Sequence, residues 1–221
     1  VAVLDYGMGN LRSVCNAFRV AGADAVLETD PAALDGYHAL VFPGQGCITD
    51  CVRHLGATGL DRAIAEWICV DRPFFGICLG LQALFDESEE APGVNGLGFI
   101  RGKVKRFVTD LSVPHIGWNG VRLQKPTALF NGLTGKEKFY FVHSYHVAPE
   151  DPACVLTTTD YDLSFVSSIR QGNVVATQFH PEKSGQAGLG VFRNFLAPGP
   201  EKLPEVIENI PTRLARRIVA C

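Results

Sequence analysis

Apolar residues fall into two kinds of run along this chain. Short continuous stretches at residues 1–6 (VAVLDY), 39–42 (ALVF) and 73–77 (PFFGI) read as buried strands. Between and after them, apolar residues recur at helical spacing over residues 11–21, 60–68 and 79–85, with Asn10 placed to cap the first of these helices. Strand alternating with helix predicts an α/β fold with a central, mainly parallel mixed sheet flanked by helices. The middle of the chain changes character. Residues 102–107, 120–123, 138–144, 155–160, 164–170 and 173–178 all read as strands. The last two are joined by Gln171-Gly172-Asn173, a hairpin signal. Residues 188–196 read as a closing helix.

Beyond residue 197 the pattern stops. Residues 198–211 (PGPEKLPEVIENIP) are rich in proline and charge and read as a linker, so residues 1–197 form the one domain. Residues 212–221 (TRLARRIVAC) turn basic and then apolar, like the opening of another strand.

Composition narrows the function classes. The chain has 221 residues, is 47% hydrophobic and carries a net charge of −3. A basic face or stripe, the footprint of a nucleic-acid binder, is not visible. No apolar run reaches the roughly 18–20 residues of a membrane span. Seven cysteines (15, 47, 51, 69, 78, 154 and 221) are odd in number and irregularly spaced, which argues against a disulfide framework and for a reducing, intracellular compartment. The chain opens on Val1 with no visible signal or transit segment, which leaves room for an upstream one.

Two motifs carry chemistry. In Gly76-Ile77-Cys78-Leu79-Gly80-Leu81-Gln82, an apolar strand runs into a cysteine with glycines at −2 and +2. A nucleophile elbow needs small neighbours because its turn is tight, and it presents the side chain at a helix start, which favours thiolate. The Leu79 amide would then face a developing oxyanion. The alternative for Cys78 taken alone, less favoured by the motif, is a buried core thiol. In Gln178-Phe179-His180-Pro181-Glu182-Lys183-Ser184, a histidine and a carboxylate lie two apart, able to face the same way. A base held by a carboxylate is what activates a thiol, and in such sites the Cys and His are distant in sequence. Pro43-Gly44-Gln45-Gly46 follows a strand and offers a second oxyanion donor, or a plain strand-to-helix turn. Residues 114–119 (PHIGWN) and 140–146 (YFVHSYH) gather polar and aromatic groups at strand ends. His143 and His146 lack the thiol or carboxylate partners of a metal site, and Cys47 and Cys51 read as small apolar helix residues, so no metal or cofactor is expected.

The Cys78 and His180 motifs together resemble the triad-type, class I glutamine amidotransferases. Within that class, residues 5–13 (DYGMGNLRS), 114–119, 142–145 and 180–184 resemble the glutaminase part of imidazole glycerol phosphate synthases, over nearly all of residues 1–196. The resemblance implies Cys78 as nucleophile, His180 as base then acid, and Glu182 as orienting carboxylate. It implies the amides of Leu79 and Gln45 as the oxyanion hole, and Gly44, Gly46, Gln82, Glu90, His143, Ser144 and Tyr145 as binders of L-glutamine. Trp118, Tyr140 and Lys183 match positions near the partner interface, where ordinary strand-end packing is the alternative. Residues 214–221 resemble the first strand of the cyclase, a (β/α)₈ barrel, fused to the glutaminase in plants, fungi and algae. The resemblance therefore implies a fused enzyme of the cytoplasm or a plastid. Gln45 and Cys47-Ile48 depart from the Pro-Gly-Val-Gly-Ala-Phe usual in the family. Rival readings are an amidotransferase serving a different synthase, a cysteine hydrolase of another amide, and a non-catalytic domain of the same fold. The complete Cys78/His180/Glu182 set weighs against the last.

Overall fold

The computed structural model describes residues 1–197; the expected linker and barrel start lie outside the described residues. The elements are β1 (Ala2–Leu4), α1 (Leu11–Ala21), β2 (Val26–Glu28), β3 (Leu40–Gly44), α2 (Ile48–Thr58), α3 (Leu60–Cys69), β4 (Phe74–Cys78), α4 (Leu79–Gln82), β5 (Phe85–Ser88), β6 (Ile100–Arg106), β7 (His115–Gly120), β8 (Arg122–Leu123), β9 (Lys138–His143), β10 (Tyr145–Pro149), β11 (Val155–Tyr161), β12 (Leu163–Gln171), β13 (Val174–Thr177) and α5 (Gly185–Leu196). One mixed sheet runs β2-β1-β3-β4-β13-β12-β10-β6-β5, with β11 and β8 branching from β12; β7 and β9 form a separate antiparallel ribbon. The parallel part is β2-β1-β3-β4-β13. The expected hairpin is present as antiparallel β12 and β13.

Continuous apolar strands mean that both sheet faces are covered. Successive residues of one strand enter opposite cores. Leu4, Phe42 and Phe74 pack on the side of α2 and α3, with Leu55, Ile64 and Trp67. Val3, Val41 and Phe75 pack on the side of α1 and α5, with Phe18, Val191 and Phe192. Each fully buried phenylalanine contributes roughly 2–3 kcal/mol of hydrophobic stabilisation. Helix α1 buries Leu11, Val14, Cys15, Ala17 and Phe18 along one stripe, then stops at Gly22, whose φ of 105° turns the chain back to bond the Arg19 carbonyl.

Three expectations need correcting. The helix read over 79–85 ends at Gln82, because the carbonyls of Ala83, Leu84 and Phe85 accept from the backbone of residues 97–100 and the chain becomes β5 instead. The strand read over 120–123 is split, Gly120 closing β7 and only Arg122–Leu123 forming β8. Of the two cysteines expected on a helix, only Cys51 lies in α2, which runs 11 residues; Cys47 stands at its N-cap, outside the helix.

Candidate active site

The site forms where three adjacent parallel strands end. β4 lies between β3 and β13, and Gly44 of β3 sits in register with Cys78 of β4. Cys78 has φ 54° and ψ −104°, conformational strain that places a non-glycine residue on a tight turn. The expected need for small neighbours is met in space. A Cβ on Gly80 would lie 1.9 Å from the Phe42 carbonyl oxygen, and one on Gly76 would lie 2.9 Å from the Gly80 carbonyl oxygen. Leu79 follows the sulfur into α4, and Gln45 follows the residue paired with Cys78, so the two expected oxyanion donors flank the nucleophile.

The loop carrying Gln45 is fixed from both sides. The Tyr6 hydroxyl donates to the Pro43 carbonyl at 3.0 Å, and the Ile48 amide donates to Glu90 Oε2 at 2.9 Å. A Cβ on Gly44 would meet Tyr6 Oη at 2.5 Å, and one on Gly46 would meet Met8 Cε at the same distance. Tyr6 and Met8, from the 5–13 motif, are thus part of the loop's seat. Sequence reasoning did not single them out individually. Glu90 holds the start of α2 with Oε2, which leaves Oε1 as its one oxygen outside that contact.

His180 and Glu182 are brought together by a 3₁₀ turn at Pro181–Lys183 rather than by an extended strand end. His180 Nδ1 lies 2.7 Å from Glu182 Oε1, with both side chains only 2% exposed. The His180 amide donates to the Tyr140 carbonyl at 2.9 Å, and the Ser184 hydroxyl donates to the His180 carbonyl at 2.6 Å while accepting from the Tyr140 amide. His180 is therefore clamped to β9. His180 Nε2 is buried without a partner of full hydrogen-bond geometry. Burial alone would lower the imidazole pKa, but the charge of Cys78 and hydrogen bonding with Cys78 and Glu182 outweigh it and raise it to about 10. The surroundings thus favour the protonated imidazole beside Cys78.

The remaining candidates separate into two groups. Trp118, Tyr140 and Lys183 come together: the Trp118 and Tyr140 rings sit edge to face at 6.0 Å, and Lys183 Nζ lies 5.6 Å from the Tyr140 ring centre. Trp118 is 57% exposed and its neighbour on the same strand face, Ile116, is 59% exposed. His143 is buried, with Nδ1 donating to the Tyr145 carbonyl at 2.7 Å and Nε2 paired with His115 at 3.1 Å. Gln82 turns its amide nitrogen inward, 3.1 Å from both the Tyr145 carbonyl and Gln178 Oε1. The histidine motif by itself gives Gln178 no role, yet its Nε2 is 3.6 Å from Cys78 Sγ. Among the described residues, no group of three or more His, Cys, Asp or Glu side chains is placed to hold a metal ion, and Cys15, Cys47, Cys51, Cys69, Cys78 and Cys154 are all free thiols.

A cysteine in a strained backbone conformation, with a carboxylate-held histidine beside it, is equipped for covalent attack on an amide. Comparison with known proteins agrees. Residues 2–198 match the family described as glutamine amidotransferase class-I. A solved glutamine amidotransferase shares the fold at a TM-score of 0.72 with 23% identity, covering 89% of this chain and 97% of its own. The chain belongs to the class I glutamine amidotransferase family. Its relatives include imidazole glycerol phosphate synthase subunit HisH of Syntrophotalea carbinolica, 47% identical across 88% of this chain and 98% of that protein. HisH of Methanothermobacter thermautotrophicus is also 47% identical, across 89% of this chain and 97% of its own. The chloroplastic imidazole glycerol phosphate synthase hisHF of Arabidopsis thaliana is 44% identical across 100% of this chain but 38% of that protein. Within the class, the chain belongs with the glutaminase subunits of imidazole glycerol phosphate synthase.

Proposed function

We propose that Cys78, His180 and Glu182 are the residues that hydrolyse L-glutamine in this protein. The observation that carries the reading is the 2.7 Å His180–Glu182 contact, which leaves a buried, unpartnered Nε2 at the Cys78 elbow. Cys78 Sγ attacks the side-chain amide carbon, and its proton passes to His180 Nε2. The amides of Leu79 and Gln45 stabilise the oxyanion. His180 then donates the proton to the departing nitrogen, ammonia leaves, and a glutamyl thioester remains. Water, deprotonated by His180, cleaves the thioester to glutamate and restores the thiol.

Substrate contacts fall to the backbone of Gly44, Gly46, Ser144 and Tyr145, to the carboxamide oxygen of Gln82 and, for the ammonium group, to Glu90 Oε1. With both ring nitrogens engaged, His143 serves by placing Ser144 and Tyr145 rather than by touching glutamine itself.

The ammonia passes to a (β/α)₈ cyclase partner, which uses it to make imidazole glycerol phosphate and an aminoimidazole carboxamide nucleotide for histidine biosynthesis. Trp118, Tyr140 and Lys183 form the contact with that partner, supported by their mutual packing and the exposure of Trp118 and Ile116. We read the partner as covalently attached, in an enzyme of plant, algal or fungal type working in the cytoplasm or a plastid. Residues 198–211 would be the linker and 212–221 the first barrel strand. The match of the plant hisHF to 100% of this chain, against 88% for the Syntrophotalea subunit, supports that arrangement. Cys78→Ala in the complete enzyme tests the site: glutamine-dependent turnover should vanish while ammonia-dependent turnover persists. Equal loss of both would contradict the assignment.

A further inference from the structure

A hydrogen-bond relay behind the nucleophile has a fixed direction, and it ends on the sulfur. It starts at the carbonyl of Tyr145, which can only accept, so His143 Nδ1 carries its hydrogen. Burial holds both His143 and His115 well below ordinary histidine pKa values, so both rings are neutral. His143 Nε2 is then a bare acceptor, and His115 Nδ1 must be the donor across their 3.1 Å contact. His115 Nε2 is in turn an acceptor, and Asn119 Nδ2 supplies a hydrogen at 3.4 Å while giving its other to the Asp160 carbonyl at 2.8 Å. Each pairing agrees with the next.

The same Tyr145 carbonyl also accepts from Gln82 Nε2 at 3.1 Å. The second amide hydrogen of Gln82 goes to Gln178 Oε1, also at 3.1 Å. That contact allows one orientation of the Gln178 carboxamide, because the flipped form would set two NH₂ groups against each other. Gln178 is 0% exposed, so water cannot relieve a flip. Its NH₂ group is left facing Cys78 Sγ at 3.6 Å, a distance suited to an N–H donor and a sulfur acceptor.

Resting on the reading of Cys78 as nucleophile, we propose that Gln178 is a positioning residue that stabilises the Cys78 thiolate through an N–H donor, and that Gln82 and the Tyr145 carbonyl lock that donor in place. A neutral thiol gains little from such a donor, whereas an anionic sulfur gains a charge-assisted hydrogen bond. The relay therefore acts on the attacking form of the residue. It also explains why a glutamine precedes the Phe179-His180-Pro181-Glu182 turn: a residue of that length reaches from the end of β13 to the elbow of β4.

The test uses the complete enzyme with its cyclase partner. Iodoacetamide alkylation of Cys78 is followed by the mass of the peptide that carries it, at neutral and raised pH. Gln178→Met keeps the length and removes the donor. It should slow alkylation at neutral pH about tenfold or more, the factor for one hydrogen bond to a charged group, with recovery at high pH where the thiol ionises regardless. Gln82→Glu reverses the polarity, presenting acceptors to both neighbours and driving the Gln178 oxygen toward the sulfur. It should slow alkylation in the same way, and it decides the matter if Gln178→Met does not fold. Wild-type alkylation rates in folded variants would overturn the relay. Cys78→Ala separates the two levels: glutamine turnover surviving in Cys78→Ala sinks the reading of the site, whereas a dead Cys78→Ala beside unaltered alkylation in the glutamine variants sinks the relay alone.

Discussion

Replacing Glu182 by Gln removes one charge and leaves the shape, so its effect can be worked from the geometry. In the native site Glu182 Oε1 accepts from His180 Nδ1 at 2.7 Å, and Oε2 is buried without any partner. Whenever the ring is neutral, the contact fixes its tautomer: hydrogen on Nδ1, and Nε2 left to take the thiol proton. A glutamine has two ways to sit there. With its oxygen against Nδ1, its NH₂ group occupies the partnerless position and is left unsatisfied, at a cost of about 1–3 kcal/mol. With its NH₂ against Nδ1, the hydrogen of the imidazole is forced onto Nε2, and His180 has no lone pair to take the thiol proton. Either way the charge-assisted bond is lost. That bond alone contributes about 1.5–3 kcal/mol, or about 10- to 100-fold in rate at about 1.4 kcal/mol per decade; the wrong tautomer makes the loss larger. The assay is initial-rate kinetics of the complete enzyme with glutamine and, separately, with ammonium salts. Glutamine-dependent kcat should fall at least tenfold with ammonia-dependent turnover retained. A Glu182→Gln variant within twofold of wild type on glutamine would refute the tautomer argument.

Other expectations follow from the same contacts. Gly80→Ala forces a Cβ to within 1.9 Å of the Phe42 carbonyl oxygen; overpacking of this kind costs about 1–3 kcal/mol, so thermal denaturation should show Tm lowered by several degrees. Burial lowers His115 to about 4 and His143 to about 3. At these two sites the unfolded chain then binds more protons between roughly pH 6.5 and those values, so their contribution to stability is complete above that window and falls as pH drops through it. Urea midpoints at pH 7 and pH 5 should show the loss, and equal midpoints would contradict it. Trp118→Ala, at a position 57% exposed, should leave Tm unchanged but weaken association with a separately produced cyclase by more than about 1 kcal/mol, measured by calorimetric titration.

Much of this was legible in the sequence because local and tertiary signals agree. α1 spans Leu11–Ala21, as its apolar stripe and the glycine after it dictate. The three central strands were visible as apolar runs because both their faces are buried. β7 and β10 were not read as strands, since glycine, histidine and proline interrupt any alternation; pairing with β9 and β6 makes them strands. β5 was hidden inside a helical pattern that yields to hydrogen bonds from residues 97–100. At the site, the strained turn at Cys78 and the His180–Glu182 contact have short local signatures and so are visible in the sequence. The relay through Gln178, Gln82 and His143 is not. It joins residues far apart in the chain, and its meaning lies in which atom donates, a property of the fold that no local spacing encodes.

Cys78 as a covalent nucleophile is most directly tested by trapping its intermediate. The complete enzyme is mixed with glutamine, quenched in acid during turnover, digested and weighed by mass spectrometry. The expected result is a glutamyl adduct on the peptide bearing Cys78, absent from Cys78→Ala and increased when hydrolysis of the thioester is slowed. An adduct on any other cysteine, or glutamine turnover persisting in Cys78→Ala, would contradict the assignment.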